Sequence, residues 1–213
     1  MRRVAAALAV LALVAASGCG PRPRPRRFFA LSPEAPERVV AEERPRIRVA
    51  PFECSDEYAG PVLRYSLSDV ELRSYRYNRW VVRPGIMVAE AFRRYLAQSG
   101  RFVMVAPGEP ADVVLVGRVE VLEHAVRDGR WLGRLTVSFD LQRPRDGRVV
   151  LRHRIDGEQE AEEQELGAVV TAMSQVLGEG LDEVLDELID AASRAHIGVP
   201  VDGPPPSASP PGE

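Results

Sequence analysis

The sequence predicts an α+β fold, an antiparallel sheet with two helices packed on one face, in the order strands, helix, strands, helix. Three observations predict it. From Asp112 to Ile155 apolar and polar residues alternate with period two, the mark of strands with one dry face. From Leu166 to Ala192 apolar residues step by fours and threes, the mark of a helix with one apolar stripe. Between the first strand signals and these segments, Pro84 to Gly100 carries a second helical pattern, so runs of strands and single helices follow one another as in α+β domains.

In chain order, Phe28-Phe29-Ala30-Leu31 reads as a short strand or docking segment, ended by Ser32-Pro33. Ile47 and Val49 alternate with Arg46 and Arg48 before Pro51, a strand with one dry face. Residues 62 to 77 suggest two strands around a turn near Ser68-Asp69, polar and aromatic in character, so that one edge or face is exposed. Pro84 suits the first turn of a helix because its missing N–H costs nothing there. Ile86, Ala89, Phe92, Tyr95 and Leu96 keep helical spacing up to Gly100, a suitable C-terminal stop. Phe102 to Val105 is a short strand, and Pro107 to Pro110 a turn.

Asp112 to Val126 opens with Val113-Val114-Leu115-Val116, passes Gly117 as an expected bulge, and continues with Val119 and Val121 between charged partners. Trp131, Leu135, Val137, Phe139 and Leu141 share one face, with Arg134, Thr136, Ser138 and Asp140 on the other. Arg145-Asp146-Gly147 is a hairpin turn, and Val149, Leu151 and Ile155 continue the dry face of the return strand. An antiparallel meander with one wet face follows, and its dry face needs a cover. Leu166, Val170, Met173, Leu177, Leu181, Val184, Leu188 and Ala192 supply one. Val169, Val176, Leu185 and Ile189 widen the stripe, and Gly178 with Gly180 favours packing on a sheet over a coiled coil.

The termini address the chain rather than fold it. Arg2 and Arg3 precede a run of 12 residues, Val4 to Ala15, made only of Val, Ala and Leu. That is too short for a membrane span of ~20 residues and has the layout of a secretory signal. Small residues then lead to Cys19, and the stretch resembles a bacterial lipobox, which implies that residues 1–18 are signal peptide and that Cys19 is the acylated first mature residue. Two or three acyl chains make a stable anchor. An ordinary signal peptide with an incidental cysteine is the alternative. Residues 19–27 form a lipidated Pro/Arg spacer, residues 28–197 the folded domain, and residues 198–213 a Pro-rich tail expected to be disordered. Gly20, in place of an Asp after the Cys, favours the outer membrane, on its periplasmic face, over inner-membrane retention.

Charge and cysteine usage exclude more than they specify. The net charge of −3 becomes −5 when Arg2 and Arg3 are removed with the leader, so no nucleic-acid surface is indicated. All 28 basic residues are Arg. With Cys19 taken as a thioether, Cys54 has no partner for an intramolecular disulfide and reads as a buried or half-buried thiol. No nucleophile elbow, P-loop, His-Glu-x-x-His or Cys pair is present, so the chain is expected not to be an enzyme and to use no metal or cofactor. His124 and His153 fall on neighbouring strands as read and could face each other. His153 shares the parity of Leu151 and Ile155, which favours a buried, hydrogen-bonded ring over a metal ligand. The acidic clusters Glu158 to Glu165 and Asp182 to Glu187 read as solvated faces.

The lipobox, the Pro-rich spacer, FFALSP, IRVAPF, YSLSDVELRSYRYNRWVVRPG running into a helix ending SGRF, and ADVVLVGRVEVLEH together resemble the ABC-type transport auxiliary lipoproteins, the PqiC-like family. The resemblance covers nearly all of residues 28–195. It implies a non-catalytic periplasmic lipoprotein serving an MCE-type system that moves phospholipid between two membranes. Its partners would be an MCE-domain protein and an ABC permease/ATPase complex, with the membrane held through the lipid. The alternatives are an envelope assembly or structural lipoprotein handling outer-membrane components or peptidoglycan and, more remotely, a lipid-anchored hydrolase.

The partner surface is expected around the 62–79 hairpin, through Tyr65, Arg73, Tyr75, Arg76, Tyr77 and Arg79. Tyr and Arg bind partners strongly yet stay soluble when unbound. At a sheet edge the hairpin could also pair with another copy in a ring; a solvated hairpin whose tyrosines pack across strands is the competing reading. Trp80, just before the first helix, is expected in the core between helix and sheet, with a surface role as its rival.

Overall fold

The computed structural model describes residues 25–34 and 36–197. Cys19, the leader and the 198–213 tail lie outside the described residues. The strands are β1 Arg27–Phe29, β2 Arg46–Val49, β3 Glu53–Cys54, β4 Val62–Ser68, β5 Glu71–Trp80, β6 Val103–Met104, β7 Val113–Arg127, β8 Arg130–Gln142 and β9 Val149–Glu160; the helices are α1 Pro84–Ser99 and α2 Leu166–Ile197. The α+β order and the antiparallel β7-β8-β9 meander are as expected.

The sheet as a whole is mixed rather than antiparallel. β2, β3 and β4 lie one after another along one edge of β7, all parallel to it, while β8 takes the whole of its other edge. β1 is parallel to β5, and β6 to β2. Period-two patterning marks a strand without stating its direction, so the parallel flanks could not be read from it.

Both helices cover the same face. The Phe52 ring meets that of Phe92 of α1 at a tilt, 5.0 Å between centres, Phe92 meets Phe139 of β8 edge-on at 5.2 Å, and Tyr95 of α1 donates to Asp182 of α2. α1 begins with Pro84 as its first residue and ends on Gly100 in the left-handed conformation at φ 72°. A Cβ on Gly180 of α2 would come 2.5 Å from the Ile155 side chain, so this glycine lets the helix lie close against β9. Trp80 is 2% exposed and belongs to the core. Cys54 is a half-buried free thiol whose pKa is raised by burial.

Three local readings are corrected. Gly117 pairs regularly with Phe139, and its missing side chain makes room for the Phe52 ring, which a Cβ would approach to 2.5 Å. The bulge is at Glu120 instead, because Val119 pairs with Val137 and Val121 with Thr136. One extra residue exchanges the faces of everything after it, so Val121 leaves the dry face and Leu122 and His124 join it. Lastly, β8 separates His124 from His153. His153 is only half-buried, against Phe139, while His124 is the buried ring.

Candidate docking surface

The β4–β5 hairpin carries all six residues expected at a partner surface, and the fold divides them. Tyr65 pairs across the hairpin with Arg73 and alongside His124 of β7, which puts it on the helix-bearing face. Its ring lies 4.7 Å from that of Tyr75. Tyr75 in turn reaches His124, whose ring is 4.4 Å from Trp131. This half-buried aromatic row packs the end of the sheet. Burial, and then the neighbouring Tyr65, push the Tyr75 hydroxyl up to about 12, so it stays a phenol at neutral pH.

Arg73 and Arg76 remain exposed. Arg73 pairs with Glu71 at 2.7 Å, and the Arg76 guanidinium lies 5.5 Å from the centre of the Tyr77 ring. Arg79 sits at the hairpin base, in one row with Phe28 of β1 and Val62 of β4. The fold thus brings Tyr65, Tyr75 and Arg73 together on one face and sets Arg76 with Tyr77 and Arg79 apart from them. Because β1 pairs with Asn78 to Trp80, no strand among the described residues lies beside the outer edge of β5 from Glu71 to Tyr77.

On the opposite face of the sheet lies a centre that the sequence reading passed over. Glu123 is 4% exposed and accepts from Tyr58 at 2.7 Å, Ser66 at 2.9 Å and Arg134 at 2.9 Å. Burial and the Glu123 carboxylate keep the Tyr58 hydroxyl protonated. The carboxylate joins the 3-10 turn Asp56–Tyr58, β4, β7 and β8, and both its oxygens are engaged, so it ties elements together rather than standing ready for acid–base work. A single buried carboxylate among scattered acids has no signature in sequence. Among the described residues no group of three or more His, Cys, Asp or Glu is placed to hold a metal ion.

The fold is of the α+β class, two helices on one face of a mixed sheet with a short N-terminal strand against the base of β5. The chain belongs to the family of the ABC-type transport auxiliary lipoprotein component, whose model matches residues 29–184. A crystal structure of a Xanthomonas campestris protein superposes with a TM-score of 0.69 at 17% identity, over 80% of this chain and 99% of that one. A second crystal structure, of an uncharacterized protein, gives 0.61 at 16% identity over 78% and 99%. At these identities the likeness shows the fold alone. No curated protein matches the chain.

Proposed function

We propose that the protein is acylated at Cys19, held to the periplasmic face of the outer membrane, and acts as a docking or scaffold component of an MCE-type phospholipid transport system. Membership of the transport-auxiliary lipoprotein family supports the setting. The observation that carries the docking role is the open edge of β5, where exposed Arg73 and Arg76 flank unpaired backbone. Such an edge can accept a strand, and its arginines an acidic surface. The partner is an MCE-domain protein working with the ABC permease/ATPase complex, or a second copy of this chain in a ring.

Reversing Arg73 and Arg76 to Glu together tests this. Co-purification with the MCE partner, or self-association, is expected to be lost with circular dichroism unchanged. Persistence of both at normal strength moves the interface elsewhere. The anchor is tested separately, by Cys19→Ala, which should release the protein from the membrane fraction in a high-salt wash.

A further inference from the structure

Nine large apolar side chains are exposed among the described residues, and three of them gather where β1 meets the base of β5: Phe28 at 60%, Val81 at 52% and Val82 at 41%. Phe28 pairs beside Arg79, and Arg79 beside Val62, so Phe28, Arg79 and Val62 lie in one row on the face away from buried Trp80. The Val81 amide donates to the Phe29 carbonyl at 2.9 Å, which keeps Val81 next to β1. Basic residues surround this patch. Arg26 precedes β1, Arg79 lies within the patch and Arg83 follows Val82; none of the three enters an ion pair among the described residues, whereas adjacent Arg27 is neutralised by Glu165 at 2.8 Å. Apolar side chains ringed by uncompensated arginines suit the boundary between acyl chains and anionic head groups.

Chain length selects the same occupant. Five residues, 20–24, separate Cys19 from the first described residue, Pro25, and the six steps between them, even fully extended, reach only about 20 Å. A lipid on Cys19 therefore keeps β1 and the patch beside the bilayer. We propose that the patch of Phe28, Val81 and Val82, rimmed by Arg26, Arg79 and Arg83, docks on a membrane surface of anionic phospholipid and sets the orientation of the domain on its tether. The inference uses the Cys19 reading for proximity only. It concerns a surface separate from the Arg73 and Arg76 edge.

The test uses the chain from residue 19 onward with Cys19→Ala, which keeps every described residue and removes the acyl group, so anchor and patch are read apart. It is expected to sediment with vesicles of phosphatidylglycerol and phosphatidylethanolamine, weakly with phosphatidylcholine alone, and less as salt rises. Arg26→Glu with Arg83→Glu should weaken sedimentation by at least about fivefold for each arginine. Phe28→Ser with Val81→Ser should abolish it, with the melting midpoint unchanged. Binding by the parent that is absent, indifferent to lipid charge, or unaltered in the arginine pair overturns the proposal. So does loss of MCE-partner capture, with vesicle binding intact, in the Phe28/Val81 variant, because the patch would then be a protein interface.

Discussion

Tyr75 Oη lies 2.7 Å from His124 Nδ1, and the other ring nitrogen, Nε2, is buried without a hydrogen-bond partner among the described residues. With the phenol as donor, the ring is satisfied on one side only and its neutral form is held in a setting of Tyr65, Tyr75 and Trp131, with Glu123 turned to the opposite face of the strand. The neutral ring's own proton then sits on Nε2, and a second proton would have to enter at Nδ1, displacing the hydrogen bond that Tyr75 donates there. Burial thus lowers the His124 pKa to about 4, against a smaller opposing pull from the Glu123 carboxylate.

Acid sensitivity follows from that ring. Below about 6.5 the unfolded chain takes up a proton that the folded ring refuses until about 4, so stability falls as pH drops through this window, by up to roughly 3 kcal/mol. His124→Gln, which keeps an acceptor for Tyr75 and does not titrate, should flatten the curve between pH 6.5 and 5 in urea titrations. An equal slope in both proteins would remove His124 as its source.

Glu123→Ala should cost about 3 kcal/mol, since it leaves the Tyr58 hydroxyl, the Ser66 hydroxyl and the Arg134 guanidinium without their shared acceptor. Glu123→Gln keeps an oxygen and should cost less. Denaturant midpoints of the two variants check the order.

Trp80→Ala should lower stability by roughly 3–5 kcal/mol, the usual cost of emptying a large aromatic site in a core. A thermal midpoint equal to that of the parent would contradict the burial.

Gly133 of β8 lies directly beneath α2, where an added Cβ would stand 2.6 Å from the Val169 carbonyl oxygen and 2.7 Å from the Met173 nitrogen. Those are backbone atoms, so the helix itself would have to move. Gly133→Ala should therefore destabilise by about 1–3 kcal/mol, while Gly60→Ala, with nothing within 4 Å, should be near neutral. Melting curves of the pair decide.

What local periodicity and local chemistry control was legible in the chain alone. The apolar stripe of α2, Pro84 and Gly100 bounding α1, and the dry parity of Leu135 to Leu141 all reappear in the structure because each depends on residues a few positions apart. The family was legible for the same reason, through contiguous motifs. Tertiary structure alone decided strand direction, since alternation is the same for parallel and antiparallel neighbours. It also decided the bulge at Glu120, which turns Glu123 to one face and His124 to the other. Burying Glu123 depends on Tyr58 and Ser66, 65 and 57 residues away in the chain, arriving as donors. The division of the hairpin has that long-range origin too: Tyr75 turns inward because His124 and Trp131, from strands formed later in the chain, stand ready to receive it.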